Sequence, residues 1–206
     1  MNIIILGDKY EKGMKSKGCQ ALIPYSSRVL MVEHQIKKIL KYFSDVKNIV
    51  YVYGLDNKQF ASTDFKYDVK KIYNPNFIDT NYAYSLYKAK SFLNDSCIII
   101  FGDTKLEKVN LKCLELDFSC VFVDHSMSSH LGYIQQENCV VNIAFDLPEK
   151  INDKIFFLSK NDAIKIKNLL EYPQNHNNFI FELINKIIDD DSKVIVNKRK
   201  KQYAKK

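Results

Sequence analysis

Short apolar runs separated by polar loops dominate the first half of the chain. Residues 3–6, 48–53 and 67–73 are predicted strands, and residues 97–101 form a continuous apolar run, CIIIF. Such a run is typical of a strand that is buried on both faces of a parallel sheet. Apolar residues also recur at a spacing near 3.6 in residues 29–43, which predicts an amphipathic helix between the first two strands.

Strands and helices alternate over the first half of the chain, and further predicted elements follow. Thr80 is a residue type that caps helices, and it precedes a helical pattern that extends to Leu93. Strands alternating with helices predict an α/β fold with a mostly parallel, twisted sheet flanked by helices, in which ligands bind at the carboxyl ends of the strands. The later predicted strands are residues 119–123, 132–136, 139–144, 155–158 and 193–196, and the later predicted helices are residues 160–170 and 178–188.

The charge distribution separates a body from a tail. The chain has 206 residues and a formal net charge of +7, but its last nine residues, KRKKQYAKK, hold six of the 31 basic residues and no acidic one. The remaining residues carry 25 basic and 24 acidic groups. We therefore predict one domain, residues 1–197, and a basic tail, residues 198–206, that is either disordered or bound to an anionic partner.

The cysteines and the apolar runs indicate the cellular compartment of the protein. The five cysteines include no pair at C-x-x-C spacing, which favours free thiols in a reducing compartment. The longest apolar runs are far too short to span a bilayer, and the first residues lack the pattern of a signal peptide. The sequence thus predicts a cytoplasmic protein with no membrane partner.

Three polar loops follow predicted strands, and each has residues that suit a phosphate or a metal ion. The first, residues 7–24, begins at Gly7 and contains four lysines, among them Lys12 and Lys15. Backbone amides of glycine-containing turns, together with ammonium groups, suit a polyphosphate. A solvated surface loop would have a similar composition, so both interpretations stay open.

The second loop places Thr80, Asn81 and Ser85 at the start of a predicted helix. Asn81 and Ser85 are four residues apart and therefore share a helix face, which can hold a base edge, a sugar or a phosphate, or simply cap the helix. In the third loop, Gly102 and Asp103 directly follow CIIIF. A carboxylate in this place is a frequent Mg²⁺ ligand, although Gly-Asp is equally common in turns.

Taken together, these segments resemble the nucleotidyltransferases that make NDP-sugars and CDP-alcohols, with the CTP:phosphocholine and related cytidylyltransferases as the nearest branch. CQALIPYSSRVLMVEHQI, residues 19–36, is similar to the family's PKALIPV and GKPLIEHQI stretches. NPNFIDTNYAYSL, residues 74–86, resembles the family's N-P-x-F-x-x-T-N motif. In the family, a helix and then a strand ending in Gly-Asp follow this motif. IFFLSKNDA, residues 155–163, resembles its Gly-Ile-x-x-x-Ser stretch.

The resemblance implies a GT-A-like, Rossmann-like fold that binds an NTP, with CTP favoured, over the first loop. The phosphate of a phosphorylated sugar, small phospho-alcohol or phosphonate would attack the α-phosphorus and expel pyrophosphate, with Mg²⁺ as cofactor. The implied catalytic residues are Lys12, Lys15 and Asp103, the implied metal ligands are Asp103 and Asp124, and the implied nucleotide- or substrate-binding residues are Gly7, Gln20, Arg28, Thr80, Asn81, Ser85 and Gly102.

The chain also departs from the family pattern. Cys19 and Gln20 stand where the family has Pro-Lys, with Arg28 as a partial substitute, and no Asp follows the last predicted strand. An active but divergent enzyme therefore stays open beside a catalytically inactive nucleotide-binding or assembly protein of the same fold. A GT-A glycosyltransferase should show Asp-x-Asp after CIIIF, where this chain has Asp103-Thr104-Lys105. A nucleic-acid-binding module acting through the tail and a homodimer also stay open.

Overall fold

The computed structural model describes residues 1–9, 19–55, 57–106, 109, 111, 117–123 and 129–197. Four predictions of the sequence analysis lie outside the described residues. They are the roles of Lys12, Lys15 and Asp124 and the nature of the tail, residues 198–206.

A mixed sheet forms the centre of the described structure. Its strands are β1 (Asn2–Leu6), β4 (Asn48–Tyr53), β5 (Val69–Tyr73), β6 (Cys97–Phe101), β7 (Ser119–Val123), β8 (Leu131–Gln136), β9 (Cys139–Phe145), β10 (Glu149–Leu158) and β11 (Val194–Asn197). Their order is β5-β4-β1-β6-β10-β7-β11-β9-β8. A separate short hairpin joins β2 (Pro24–Ser26) to β3 (Val29–Leu30).

The direction of the strands changes halfway across the sheet. β5, β4, β1 and β6 are parallel, as the alternation of strands and helices predicts. β10 then runs antiparallel to both β6 and β7. A further pairing of β10 with β8 closes the second half of the sheet into a small ring of strands. The α/β fold class is confirmed. The four adjacent parallel strands come from the first half of the chain, and β11 also pairs parallel with β7.

Helices cover both faces of the sheet. They are α1 (Met31–Leu40), α2 (Asn57–Ser62), α3 (Tyr82–Lys88), α4 (Lys160–Leu169) and α5 (Ile180–Asp189). Ser159 caps α4, because its hydroxyl accepts a hydrogen bond from the Asp162 backbone N–H. α3 begins one residue later than predicted, because its N-cap is Asn81 rather than Thr80. Within the described residues, every helix is too short or too polar to cross a bilayer.

The side chains of β1 alternate between two apolar layers. Ile4 and Leu6 belong to the layer that contains α3, α4 and α5, whereas Ile3 and Ile5 belong to the layer that contains α1. All four side chains are fully buried. Because β1 lies between β4 and β6 and is covered on both faces, its carboxyl end has a fixed position. The residues that follow β1 therefore start from a rigid point.

Candidate active site

Glycine and polar residues from three strands meet at the carboxyl ends of the parallel strands. Gly7 and Asp8 follow β1, Asn74 follows β5, and Gly102 and Asp103 follow β6. In open α/β sheets this edge is where ligands bind. The structure thus brings the first and third predicted loops to one place.

Two glycines let the ends of β1 and β6 come together. A Cβ atom built on Gly102 would lie 2.7 Å from the Gly7 Cα atom and 2.8 Å from the Tyr51 hydroxyl, and it would collide with the Gln20 side chain. A Cβ atom on Gly7 would overlap the Tyr51 phenol. Only glycine permits such close backbone approach. The predicted residues Gly7, Gln20 and Gly102 are therefore neighbours, and Tyr51 stands between them.

Tyr51 is a buried polar residue between Gly7 and Gly102. The side chain is fully buried, and its hydroxyl has no hydrogen-bond partner among the described residues. Burial, with smaller contributions from the charges of Cys19 and Asp8, raises the pKa of the Tyr51 phenol well above its usual range. Tyr51 therefore remains a neutral hydroxyl that can donate a hydrogen bond at neutral pH.

Asp8 is the centre of a buried polar network. Its Oδ2 atom accepts hydrogen bonds of 2.6 Å from both the Asn74 side-chain amide and the Ser85 hydroxyl. The Asp8 side chain is completely buried, and its Oδ1 atom has no hydrogen-bond partner within the described part of the chain. Asp8 thus ties the start of the first loop to the end of β5 and to α3.

Lys9 fastens the first loop to the loop before α3. Its ammonium donates hydrogen bonds to the carbonyl of Thr80 (2.6 Å), the hydroxyl of Thr80 (3.1 Å) and the carbonyl of Phe77 (3.1 Å). It also lies 3.5 Å from Asp8 Oδ2. Burial lowers the pKa of Lys9, and the neighbouring Asp8 carboxylate opposes that shift. Lys9 is therefore a structural cation, and its contacts give Thr80 a structural role at this point.

Asp103 forms an ion pair with Lys154 across the sheet. The ammonium of Lys154, on β10, donates to Asp103 Oδ2. The hydroxyl of Thr104 donates to the backbone carbonyl of Lys154 at 3.2 Å, which fastens the turn after β6 to β10 a second time. Both charged side chains retain some exposure, 20% for Asp103 and 34% for Lys154. The pair therefore presents a carboxylate and an ammonium to a ligand at the strand ends.

Gln35 holds the turn that carries Asp103. Its side-chain amide nitrogen lies within hydrogen-bond distance of the carbonyls of Phe101 (3.0 Å), Gly102 (3.2 Å) and Thr104 (3.0 Å). Gln35 belongs to α1 and is completely buried. Since these three carbonyls flank Asp103, Gln35 fixes the backbone from which that carboxylate projects.

Replacing Gln35 should weaken the fold at this turn. Gln35→Met keeps the length of the side chain but leaves buried carbonyls without a donor, so we expect the free energy of unfolding to fall by about 2 kcal/mol. Urea denaturation measures the change, and Gln59→Met, at an exposed position on α2, is the matched control. A loss equal to that of the control would contradict the assigned role of Gln35.

The remaining predicted residues do not share one contact. Arg28 is exposed in the turn between β2 and β3. Asn81 accepts a hydrogen bond from the Tyr82 backbone N–H and donates one to the Asn177 carbonyl at 3.3 Å, whereas Ser85 faces Asp8. Asn81 therefore caps α3 and Ser85 lies within it, and their side chains bind different partners.

Asp103 is the one described carboxylate that the resemblance implies as a magnesium ligand, and it faces a lysine. Mg²⁺ is bound through hard oxygen ligands, usually one or two carboxylates together with phosphates. Within the described residues, no group of three or more His, Cys, Asp or Glu side chains could hold a metal ion. The Asp103 carboxylate already faces the Lys154 ammonium, and Asp124 lies outside the described residues. The positive charge beside Asp103 is thus that of a lysine.

Sequence reasoning missed Asp8, Gln35 and Lys154 as site residues. Asp8 could have been found, because it follows a buried strand just as Asp103 does. Gln35 falls in the stretch that resembles GKPLIEHQI, and Lys154 stands at the Gly position of the Gly-Ile-x-x-x-Ser stretch. The sequence around Gln35 and around Lys154 does not indicate which residues they bind. Asp103, the partner of Lys154, lies 51 residues away in the sequence.

Comparison with known proteins gives matches at the level of structure alone. No family model and no curated protein matches the sequence. Among solved structures, the chain is similar to a CTP:phosphocholine cytidylyltransferase from Streptococcus pneumoniae, with a TM-score of 0.73 and 20% identity over 95% of this chain and 88% of that one. It is also similar to the inositol-1-phosphate CTP transferase from T. maritima, with a TM-score of 0.68 and 14% identity over 95% and 84% of the two chains.

A third similar structure is a nucleoside-diphosphate-sugar pyrophosphorylase from Vibrio cholerae RC9, with a TM-score of 0.68 and 12% identity over 96% of this chain and 91% of that one. These similarities span nearly the whole chain in each case. The protein therefore has the nucleotidyltransferase fold, as the resemblance of its motifs predicts.

Proposed function

We propose that the protein transfers a nucleotidyl group from an NTP, with CTP favoured, to a small phosphorylated molecule and releases pyrophosphate. The observation that carries this proposal is the Asp103–Lys154 pair, which lies directly beside the contact of Gly7 with Gly102. A lysine ammonium held at the carboxyl ends of parallel strands suits a polyphosphate. The similar structures, which include two CTP-dependent transferases, support the reaction class.

The transfer is a displacement at phosphorus. A phosphate oxygen of the acceptor forms a bond to the α-phosphorus of the NTP, while the bond from that phosphorus to the bridging oxygen breaks. The bonding electron pair leaves with pyrophosphate. Phosphate monoesters have a second pKa of about 6, so the attacking oxygen is largely deprotonated at neutral pH and needs no general base. The protein has to position the two phosphates and neutralise their charge.

The residues divide this work between them. The glycine contact packs the ends of β1 and β6 together, and the N–H groups of Gly7 and Gly102 donate to the carbonyls of Val52 and Leu6. Lys154 neutralises negative charge at the reacting phosphates, and Asp103 orients the Lys154 ammonium. Asp8 holds Ser85 and Asn74 in fixed positions beside the first loop. Lys12 and Lys15 in that loop would bind the triphosphate.

A nucleotide panel tests the proposal. We expect CTP to raise the melting temperature of the purified chain more than UTP, dTTP, ATP or GTP. A ligand at 100 times its Kd contributes about 2.7 kcal/mol, which corresponds to a shift of about 5 to 10 °C for a chain of this length. Thermal-shift measurements with Mg²⁺ and with EDTA check the result. The absence of a shift with every nucleotide would contradict the proposal.

The two metal conditions have separate meanings. A rise in melting temperature with CTP that persists in EDTA would mean that Lys154, and not a metal ion, supplies the positive charge beside Asp103. A shift that needs Mg²⁺ would mean that CTP binds as its Mg²⁺ complex, with Asp103, alone or together with the predicted Asp124, as protein ligand beside the phosphates. The second reading keeps Mg²⁺ as cofactor.

An inactive nucleotide-binding protein is the second candidate function. The observation that favours it is that Gln20 stands at the centre of the site, where the resembling family has a lysine. This candidate predicts a CTP-dependent thermal shift without release of pyrophosphate from any phosphorylated acceptor. A coupled pyrophosphate assay separates it from the enzyme.

We propose further that the chain forms one domain, residues 1–197, followed by a separate basic tail, and that the protein is located in the cytoplasm.

A further inference from the structure

The strand before the basic tail ends at the edge of the sheet where Asp103 and Lys154 lie. β10 runs antiparallel to both β6 and β7, so β6 and β7 point in the same direction, and β11 pairs parallel with β7. The carboxyl end of β11 therefore belongs to the same edge as the carboxyl ends of β1 and β6. Asn197, the last residue of β11, is buried, which fixes the point after which the tail begins.

The register of the strands places this end near Lys154. β10 bulges around Lys154, and the bulge lies opposite Phe122 of β7. On its other side, Phe122 pairs with Asn197. Lys154 and Asn197 therefore lie two strands apart, which is roughly 10 Å at the usual spacing of paired strands. Three extended residues cover about 10 Å as well, so residues 198–200 are long enough to reach Lys154.

The tail begins with a dense positive charge. Residues 198–201 are Lys-Arg-Lys-Lys. The acidic residues nearest to them in the sequence are residues 189–191, all of them Asp, which stand where α5 ends and precede the amino end of β11. At the carboxyl end, Asp103 already faces Lys154. The charges of the tail thus begin at the edge where a polyphosphate is proposed to bind, and the nearest aspartates precede the strand.

Lys154 lies between two basic segments of the chain. In the order of the strands, β10 stands between β1, which is followed by the lysine-containing first loop, and β11, which is followed by the tail. The Lys154 ammonium is shared with the Asp103 carboxylate, so it offsets only a part of the charge of a triphosphate. Further cations from the β11 side would offset more of that charge, because charge-assisted hydrogen bonds to phosphate are strong.

We infer that Lys198, Arg199 and Lys200 bind phosphate groups of the nucleotide at the edge that Asp103 and Lys154 occupy. This inference rests on the proposed function and assigns the start of the tail to the same site. Arg199 can bind a phosphate through two parallel hydrogen bonds, and the two lysines add positive charge. The start of the tail is then a part of the nucleotide site and not a binding segment for nucleic acid.

Calorimetric titration of CTP into the full-length chain tests this inference. The near variant replaces the three residues after β11 by glutamine: Lys198→Gln, Arg199→Gln and Lys200→Gln. We expect it to raise the Kd of CTP at least about tenfold, a difference of about 1.4 kcal/mol. Because the substitutions follow the last strand, the melting temperature of the free protein should stay within about 2 °C of that of the unchanged chain.

Two further variants are the controls. The far variant removes the same charge farther from β11 and should raise the Kd of CTP less than about threefold, because exposed distant charges are screened; it carries Lys201→Gln, Lys205→Gln and Lys206→Gln. The charge-conserving variant should bind CTP within about threefold of the unchanged chain, because each position keeps its cation; it carries Lys198→Arg, Arg199→Lys and Lys200→Arg.

Three results would overturn the inference: an unchanged Kd of CTP in the near variant, an equal rise in the near and far variants, or a charge-conserving variant that binds as weakly as the near variant. Fluorescence anisotropy with a labelled single-stranded oligonucleotide provides a fourth. Oligonucleotide binding that the near and far variants both weaken, with the Kd of CTP unchanged, would assign the tail to nucleic acid instead.

The same titrations keep the role of the tail apart from the proposed function. Absence of CTP binding by the unchanged chain would contradict the proposed transfer. Equal CTP binding by the unchanged chain and by the near variant would leave that transfer standing and reject the role of residues 198–200.

Discussion

Asp103→Asn is expected to abolish pyrophosphate release from CTP while lowering the melting temperature by no more than a few degrees. The substitution keeps the size of the side chain but removes the charge that orients Lys154 beside the reacting phosphates. Loss of one positioned electrostatic group at a reacting centre typically reduces kcat by about 100- to 1,000-fold. The small effect on stability follows because the pair is partly exposed, and exposed ion pairs contribute about 0 to 1 kcal/mol.

The measurement is a coupled pyrophosphate assay with CTP and the acceptor that binds most tightly. Asp64→Asn makes the same chemical change at an exposed position before β5 and should leave the rate unchanged. Lys154→Met should lose activity to a similar extent, because both variants remove the same ion pair. Unchanged turnover in Asp103→Asn would remove Asp103 from the site.

Asp8→Ala should lower the free energy of unfolding more than any other substitution proposed for this protein. The Asp8 carboxylate is completely buried and accepts short hydrogen bonds from Asn74 and Ser85, and it lies beside the mostly buried ammonium of Lys9. Removing it leaves two buried donors without their acceptor and takes the carboxylate away from a mostly buried ammonium. Removing one partner of a buried charge pair costs about 3 to 5 kcal/mol. For a chain of this length, the melting temperature should fall by about 6 to 20 °C.

Thermal and urea unfolding of Asp8→Ala, with two graded variants, measure this effect. Ser85→Ala removes one donor and should cost about 1 kcal/mol. Asp8→Asn keeps the shape and one acceptor atom, so its loss should lie between those of the two alanine variants. A loss below 1 kcal/mol in Asp8→Ala would mean that water satisfies the network in place of the carboxylate. CTP binding by Ser85→Ala then tests whether the network also serves the nucleotide.

The local pattern determined most of the strands and helices. CIIIF is β6, as its apolar run predicts, and the fully buried β1 follows from the apolar residues 3–6 in the same way. Two short elements escaped the pattern. They are the hairpin of β2 and β3 and the six-residue helix α2, which are too short to show a period.

The strand order also set a limit on prediction. Alternating strands and helices indicate parallel pairing, and the first four strands of the sheet follow that rule. The antiparallel insertion of β10 between β6 and β7 has no local signature. This insertion of β10 beside β6 is nevertheless what places Lys154 next to Asp103.

The sequence by itself determined which residue types stand at the strand ends: glycines, Asp103 and a helix start with Ser85. Tertiary structure alone decided which of them touch. Ser85 lies 77 residues from Asp8, and Gln35 lies 66 residues or more from the carbonyls that it binds. The physical reason is that periodicity records which face of an element is buried, whereas contacts between strand ends depend on strand order and on packing across the sheet.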